Sequence, residues 1–142
     1  MLQKRKEIVM KERTYVMLKP DALQRNLMGE IVSRIERKGY KIADCKMMRL
    51  SEEIIREHYA HIADKPFFPE TLEYMTSGPV LAMIVEGENA IQGVRKLMGA
   101  TKFEDALAGT IRGDYAQDTT HNLIHGSDSQ ENAETEIRRF FG

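Results

Sequence analysis

The sequence predicts one domain of mixed architecture, either α/β or α+β, and three observations lead to this class. Apolar runs of strand length recur along the chain, at residues 14–18, 80–85 and 123–125. Between these runs, apolar residues repeat with helical spacing, as they do between residues 31 and 38. The chain has 142 residues, which is enough to bury one substantial core and too few for two domains of ordinary size.

The first strand is predicted over residues 14–18, whose Thr-Tyr-Val-Met-Leu sequence is rich in residues that favour strands. Pro20 cannot donate a backbone hydrogen bond, so Lys19 is expected at the end of the strand. The apolar spacing of residues 31–38 predicts a helix, and Gly39 is its expected C-terminal stop.

A second strand is predicted over residues 40–50, and Ser51 is the expected N-cap of a helix over residues 52–59. The Pro-Phe-Phe-Pro segment at residues 66–69 separates that helix from a short one over residues 71–75. These two helices are predicted to form a pair, and His58 and His61 are expected on a solvated helical face.

Residues 80–85 form the most continuous apolar run and are predicted to be a central strand. A helix with Arg95 beside its apolar face follows. Residues 100–121 show little periodicity and are interpreted as one long loop that belongs to a functional site. The last strand covers residues 123–125, and Ser129 begins a terminal helix with an acidic first half.

The composition is ordinary for a globular domain and excludes a global electrostatic role. The net charge is -1, with 42% hydrophobic and 30% charged residues, so no overall attraction to nucleic acid or acidic lipid is expected. The absence of a long apolar run or leader-like segment leads us to expect a cytoplasmic protein. Cys45 is the single cysteine and is expected to be a small buried thiol. Residues 1–11 are predicted to be an N-terminal extension, and residues 12–142 the domain.

The segment Asn-Leu-Ile-His-Gly-Ser-Asp at residues 122–128 carries the strongest chemical signal. A histidine with an ordinary pKa of about 6.5 is largely neutral at cellular pH and offers a nitrogen lone pair for phosphoryl transfer. Gly126 lets the backbone or a ligand approach the ring of His125. The alternative from spacing alone is a structural histidine at a strand end.

Three further motifs occur in the chain: Lys-Pro-Asp at residues 19–21, Ser-Gly-Pro at 77–79 and Gly-Thr-Ile-Arg-Gly-Asp at 109–114. Together with residues 122–128, they resemble the nucleoside diphosphate kinase family, over about residues 12–141. The resemblance implies a ferredoxin-like fold: a four-stranded antiparallel βαββαβ sheet covered by helices, with an added helical pair. The Gly-x-x-x-x-Gly-Lys and Gly-x-Gly-x-x-Gly phosphate loops of other nucleotide-binding proteins are absent from the sequence.

The resemblance also implies a nucleotide site built from side chains. Arg95, Thr101 and Arg112 would hold the phosphates. Lys19 and Asn122 would contact the sugar hydroxyls, and Phe67 would stack on the base. The corresponding positions are all of the expected residue type in this chain: Lys19, Tyr59, Phe67, Arg95, Thr101, Arg112, Asn122 and His125.

For catalysis, the resemblance implies that His125 is the nucleophile and that Glu136 accepts a hydrogen bond from its ring. Ser127 would support Glu136, while Lys19 and Tyr59 would lie near the transferred phosphate. Mg²⁺ would enter on the nucleotide phosphates, with no protein cage and with Asp128 as a contact through water.

The implied activity is transfer of the γ-phosphoryl group from a nucleoside triphosphate, mainly ATP, to a nucleoside diphosphate through a phosphohistidine. The implied assembly is a homo-oligomer, a hexamer or alternatively a tetramer. Two other interpretations stay open: a noncatalytic regulatory or nucleic-acid-binding family member, and a carrier phosphorylated by a protein partner. Residues 101–108 lack the prolines that many relatives carry there, so flexible turns replace rigid ones. The resemblance therefore does not extend to the stability of this loop or to its subunit contacts.

Overall fold

In the part of the chain that the structure describes, four strands form one antiparallel sheet, and seven α-helices cover it. The computed structural model describes residues 11–142, so the predicted extension over residues 1–11 lies outside the described residues except for Lys11. The strands are β1 (Lys11–Leu18), β2 (Lys41–Met48), β3 (Val80–Glu88) and β4 (Ile124–Gly126). The helices are α1 (Pro20–Gln24), α2 (Met28–Arg37), α3 (Glu52–His58), α4 (Phe68–Met75), α5 (Ala90–Met98), α6 (Ile111–Tyr115) and α7 (Gln130–Phe141).

The sheet has the order β2-β3-β1-β4, and every neighbouring pair is antiparallel. With the chain order βαββαβ, this is the ferredoxin-like α+β fold, which confirms the predicted fold class. The long central pair β1 and β3 is in register from Lys11 opposite Glu88 to Leu18 opposite Leu81. Strand β4 pairs with only the last part of β1, where Met17 lies opposite His125.

The sheet has an apolar core on each face. Alternate residues of a strand point to opposite faces, so Val16 and Leu18 pack into one core while Tyr15 and Met17 pack into the other. Residues from α2, α5 and α6 complete the first core, and residues from α3, α4 and α7 complete the second. Strand β1 is therefore buried on both faces, which explains its continuous apolar sequence.

Both predicted serine caps are confirmed. The Ser51 hydroxyl accepts a hydrogen bond from the Ile54 backbone N–H at 3.2 Å and begins α3. The Ser129 hydroxyl accepts one from the Asn132 N–H at 3.1 Å and begins α7. The helical pair is also present, although α4 begins at Phe68, before its predicted start.

Three sequence predictions about local structure were wrong. Helix α1 was not predicted, and the loop assigned to residues 100–121 contains a 3-10 turn at Phe103–Asp105 and the helix α6. Cys45 is exposed on β2 instead of buried, because β2 is an edge strand whose residues 43–47 are all exposed. Among the described residues, no helix combines the length and the apolar character needed to span a bilayer.

Candidate active site

A polar cleft of about 580 Å³ opens where β4 meets α3, α5, α6 and α7. Nine of the residues singled out from the sequence line it: Lys19, Tyr59, Arg95, Thr101, Arg112, Asn122, His125, Asp128 and Glu136. Two others do not. Ser127 is buried beneath Glu136 at 1% exposure, and Phe67 is 53% exposed next to the first turn of α4. The fold thus brings together residues that are up to 117 positions apart in the chain.

His125 reaches the cleft because alternate residues of β4 point to opposite faces of the sheet. Ile124 packs into the core on the α5 side, so the next residue points to the opposite face, where its ring lies 5.9 Å from that of Tyr15. The chain enters β4 through a tight turn at Leu123, which has a φ of 76°. The Ile124 N–H donates to the Asn122 carbonyl at 2.8 Å, a hydrogen bond typical of a γ-turn. Asn122 and His125 lie on either side of this strained turn, and both side chains line the cleft.

Gly126 packs closely against the side chains of α5 behind the histidine. A Cβ added there would lie 2.6 Å from the Met98 sulfur of α5. The glycine therefore lets α5 approach β4, and α5 carries Arg95 to the same cleft. A close approach of the backbone or a ligand was predicted at this glycine, and the structure shows that side chains of α5 make the close contact.

Glu136 holds the imidazole of His125. Its Oε1 lies 2.8 Å from His125 Nε2 and accepts a 2.6 Å hydrogen bond from the Ser127 hydroxyl. Burial acts to raise the pKa of Glu136, but the hydrogen bonds from His125 and Ser127 outweigh it, so the pKa lies below its ordinary value. An ionised carboxylate can only accept hydrogen bonds, so Nε2 must be the protonated nitrogen of a neutral His125. Nδ1 then keeps the lone pair.

Lys19 and Asn122 form a buried polar pair at the end of β1. The Lys19 ammonium donates to the Asn122 side-chain oxygen at 2.9 Å, and the backbone N–H of Lys19 donates to the Leu123 carbonyl at 2.8 Å. Burial, together with the charge of Arg112, lowers the pKa of Lys19 to about 8. An anion in the cleft would stabilise this desolvated cation.

Arg112 is buried at 5% exposure and binds the backbone on both sides of the cleft. Its guanidinium donates to the carbonyls of Asn122 at 3.2 Å, Gly99 at 3.1 Å and Ile124 at 2.5 Å. Burial and the nearby charge of Arg95 lower the pKa of Arg112 to about 10. No carboxylate among the described residues forms a salt bridge with it, so the cleft contains an uncompensated buried positive charge.

The remaining predicted residues surround this charge. Tyr59 follows α3, and burial is the main cause that raises its pKa above the ordinary value. Arg95 and Thr101 are exposed at the rim. Asp128 accepts a 2.6 Å hydrogen bond from the Asn132 side chain, which is the largest cause of its lowered pKa.

His58 was wrongly predicted to lie on a solvated face, whereas His61 is exposed as predicted. His58 is only 9% exposed, and its ring lies edge-on to His125 with centroids 4.7 Å apart. Arg139 of α7 donates to its Nδ1 at 2.9 Å and also lines the cleft. The spacing could have indicated this position, because His58 lies one helical turn after the buried Ile55.

The fold and the cleft together indicate a class of protein. An imidazole whose Nε2 is engaged by Glu136 lines the same cleft as several cations, two of them desolvated, and the cleft is large enough for a nucleotide. This combination suits a phosphotransferase that works through a histidine, since the cations can stabilise the charge of a migrating phosphoryl group.

Comparison with known proteins gives the family. The nucleoside diphosphate kinase family model matches residues 12–142. A nucleoside diphosphate kinase of Symbiobacterium thermophilum is 56% identical over 92% of this chain and 87% of its own length. One from Thermus thermophilus is 54% identical over 92% of this chain and 95% of its own.

Solved structures agree with the sequences. The halophilic nucleoside diphosphate kinase of Halobacterium salinarum in complex with CDP superposes with a TM-score of 0.89 and 54% identity, over 93% of this chain and 88% of that one. The Aquifex aeolicus nucleoside diphosphate kinase gives a TM-score of 0.88 with 40% identity, over 94% and 96% of the two chains. The chain belongs to the nucleoside diphosphate kinase family, and the protein is therefore a phosphotransferase.

Proposed function

We propose that the protein transfers the γ-phosphoryl group of a nucleoside triphosphate, mainly ATP, to a nucleoside diphosphate by a Mg²⁺-dependent ping-pong reaction through phosphorylated His125. One observation carries the proposal. Glu136 engages Nε2 of His125, so the lone pair of Nδ1 is left in a cleft that also contains Lys19, Arg95 and Arg112.

The first half-reaction forms a bond between Nδ1 and the γ-phosphorus. The bond from that phosphorus to the β–γ bridging oxygen breaks, and the diphosphate leaves with the electron pair. The imidazole becomes positively charged, and Glu136 stabilises this charge through the Nε2–H, while Ser127 holds the carboxylate in place. The second half-reaction reverses these steps with another diphosphate, so one site serves both.

Each nucleotide contact is proposed on the family resemblance, and the positions of the residues in the structure support it. Arg95, Thr101 and Arg112 lie where they can bind phosphate oxygens, and the guanidiniums suit this because they are planar donors. The Lys19–Asn122 pair can bind the sugar hydroxyls, and Tyr59 lies beside Glu136 near the reacting phosphate. A seventh residue, Phe67, is exposed and can stack on any base, since every base presents a π-face.

The carboxylates of the cleft fit a magnesium ion that is carried by the nucleotide. Glu136 is occupied by His125 and Ser127, which leaves Asp128 as the other lining carboxylate. Asp128 is exposed and can contact the hydrated ion through water. Bound Mg²⁺ would supply charge neutralisation on the phosphate oxygens.

Labelling with γ-labelled ATP and Mg²⁺ tests the proposal. The purified protein should acquire an acid-labile, alkali-stable label and lose it when CDP or GDP is added, with formation of the labelled triphosphate. His125→Gln should not be labelled, whereas His121→Gln, a control at an exposed histidine, should label normally. Absence of label on the wild type, or equal labelling of His125→Gln, contradicts the kinase proposal. A label that CDP and GDP do not remove would favour a carrier that needs a protein partner.

A homo-oligomer is proposed with the same family as its basis, a hexamer first and a tetramer as the alternative. Strand β2 leaves one edge of the sheet unpaired and exposes Met47 at 56%, and Leu107 in the loop before α6 is 75% exposed. Light scattering distinguishes masses of six and four chains. A cytoplasmic location stays a prediction.

A further inference from the structure

His58 is a buried imidazole that the proposed reaction does not use. Its ring is surrounded by the rings of His125, Tyr15, Tyr59 and Phe140, with centroids 4.7, 6.4, 4.9 and 5.2 Å away. All four contacts are edge-on, with interplanar angles of 73° to 80°. Such a ring cannot turn without displacing its neighbours, so the position of its proton matters to the site.

Arg139 fixes that proton. The Arg139 Nη1 lies 2.9 Å from His58 Nδ1, and a guanidinium has donors only. Nδ1 must therefore accept, and the proton of the neutral ring must be on Nε2. Arg139 is held in turn by Glu57, whose Oε2 lies 3.1 Å from the Arg139 Nε. This Glu57–Arg139–His58 chain joins α3 to α7 beside the reacting histidine.

The tautomer decides whether His58 competes with Glu136. One ring nitrogen of each of His58 and His125 and a carboxylate oxygen of Glu136 lie within 4.8 Å of one another. Arg139 engages Nδ1 of His58, which leaves Nε2 as the nitrogen that can act toward the other two groups. With a lone pair on Nε2, His58 would be a second acceptor beside Glu136 for the His125 proton. With a proton on Nε2, it cannot accept at that atom, and Glu136 is the acceptor that remains for the His125 Nε2–H.

We propose that His58 is a positioning residue, which the Glu57–Arg139 pair keeps in the Nε2–H tautomer so that the His125 Nε2–H stays on Glu136 and the Nδ1 lone pair stays in the cleft. The proposal rests on the proposed function, because it assigns His58 a part in presenting the phosphorylated nitrogen. The proposal also gives a role to Arg139 of α7, which no sequence motif indicated.

The test uses three variants of the full chain. Arg139→Met removes the donor while it keeps an unbranched apolar stem, and Arg139→Lys retains a charged donor. Arg138→Met is the matched control, because Arg138 is the neighbouring arginine of α7 and is exposed. Two quantities are measured: the ¹⁵N signals of the histidine rings, which report the tautomer, and the single-turnover rate of phosphorylation by ATP between pH 6 and 8.

The wild type should show His58 as one Nε2–H tautomer. Arg139→Met should show mixed His58 tautomers, and its phosphorylation rate at saturating ATP should fall about tenfold, the effect of losing one charge-assisted hydrogen bond. Arg139→Lys should restore most of the rate, and Arg138→Met should behave as the wild type in both measurements.

Several results would overturn the proposal. If His58 of the wild type is protonated on Nδ1, the proposal is wrong, and this result does not depend on the folding of any variant. An Arg139→Met protein with one unchanged tautomer and the wild-type rate does so as well. If that variant only weakens ATP binding, Arg139 is a nucleotide contact and does not act by fixing the tautomer of His58. The ring signals can be read without ATP, so a wild type that shows the tautomer but forms no phosphohistidine contradicts the proposed function and leaves this measurement readable.

Discussion

Arg95 and Arg112 reach the same cleft from opposite surroundings. Arg95 is exposed, and its nearest polar contact among the described residues is the Gly126 carbonyl at 3.5 Å, the limit of a hydrogen bond. Arg112 is buried and donates to three backbone carbonyls. The family resemblance gives both residues one task, whereas the structure gives Arg112 a second one, which is to hold the loop after Gly99 against β4.

Alanine substitutions should separate these tasks. Arg95→Ala should lower kcat/KM about 10²-fold, because it removes a charged donor to the phosphates. Its free energy of unfolding should stay within about 0.5 kcal/mol of the wild type, as for other exposed substitutions. Arg112→Ala should lower kcat/KM and also destabilise the protein by about 2 kcal/mol or more, because buried carbonyls lose their donor.

Steady-state kinetics and denaturant unfolding at one protein concentration measure the two effects. Equal stability of the two variants would contradict a structural role for Arg112. An unchanged kcat/KM for Arg95→Ala would remove that residue from the phosphate site.

Much of the site could be predicted from the sequence, because the family resemblance names residue types at fixed positions. Helical spacing could have indicated only that His58 is buried, since its neighbours come from contacts between α3, β4 and α7 that no local pattern reports. The hydrogen-bonding state of His125 was also beyond the sequence, because it depends on which nitrogen Glu136 engages across a tertiary contact.

At the scale of elements, the predictions succeeded where a segment was long enough to show a period. Helices α2 and α5 have nine or ten residues and a clear apolar face. Helices α1 and α6 have five residues each, less than two turns, so no period can appear. Strands β1 and β3 extend beyond their predicted ends to Lys11 and Glu88, because backbone pairing continues after the apolar residues stop.

Helix α6 depends on one glycine. Thr110 caps it: its hydroxyl accepts from the Gly113 N–H at 2.9 Å and donates to the Leu107 carbonyl at 2.6 Å. A Cβ at Gly113 would lie 1.9 Å from that carbonyl oxygen. The obstacle is backbone, which cannot move aside without displacing the turn that positions α6 and, with it, Arg112.

Two glycine-to-alanine variants should therefore change stability in opposite directions. Gly113→Ala should lower the free energy of unfolding by about 1–3 kcal/mol, the range for overpacked sites. It should also reduce activity, since α6 carries Arg112. Gly29→Ala, within α2 and with nothing within 4 Å of the added Cβ, should raise stability by about 0.5–1 kcal/mol.

Denaturant unfolding of both variants and of the wild type measures whether each substitution raises or lowers the free energy of unfolding. A Gly113→Ala protein as stable as the wild type would mean that the turn at Leu107 yields easily. In that case the close contact would not explain the glycine.

At the scale of the whole molecule, the second core is where residues of the proposed catalytic site meet the stabilising aromatic contacts. Tyr15 and Phe140 stack there with centroids 4.5 Å apart, and His58 lies edge-on to both. Groups from several elements face the His58 ring: His125 of β4, Glu136 and Arg139 of α7, and Lys19 at the end of β1. Its ionisation would therefore disturb contacts that the complete fold creates, and the unfolded chain lacks all of them.

The stability of the protein should consequently depend on pH through His58. Burial, followed by the charge of His125, lowers the pKa of His58 from 6.5 to about 3 in the folded protein. Between these values the unfolded chain binds a proton that the folded protein excludes, so the contribution is complete above pH 6.5 and is lost as the pH falls towards 3. At pH 5 the loss of stability should be about 2 kcal/mol relative to pH 7.5.

The His58→Asn variant removes this titration, so its destabilisation relative to the wild type should be smaller at pH 5 than at pH 7.5 by that amount. His61→Asn, a change at an exposed histidine, should give the same difference at both pH values. Denaturant unfolding at the two pH values measures these differences. If the His58→Asn difference does not change with pH, His58 accepts a proton as readily in the folded protein as in the unfolded chain, and the rings around it do not exclude the charge.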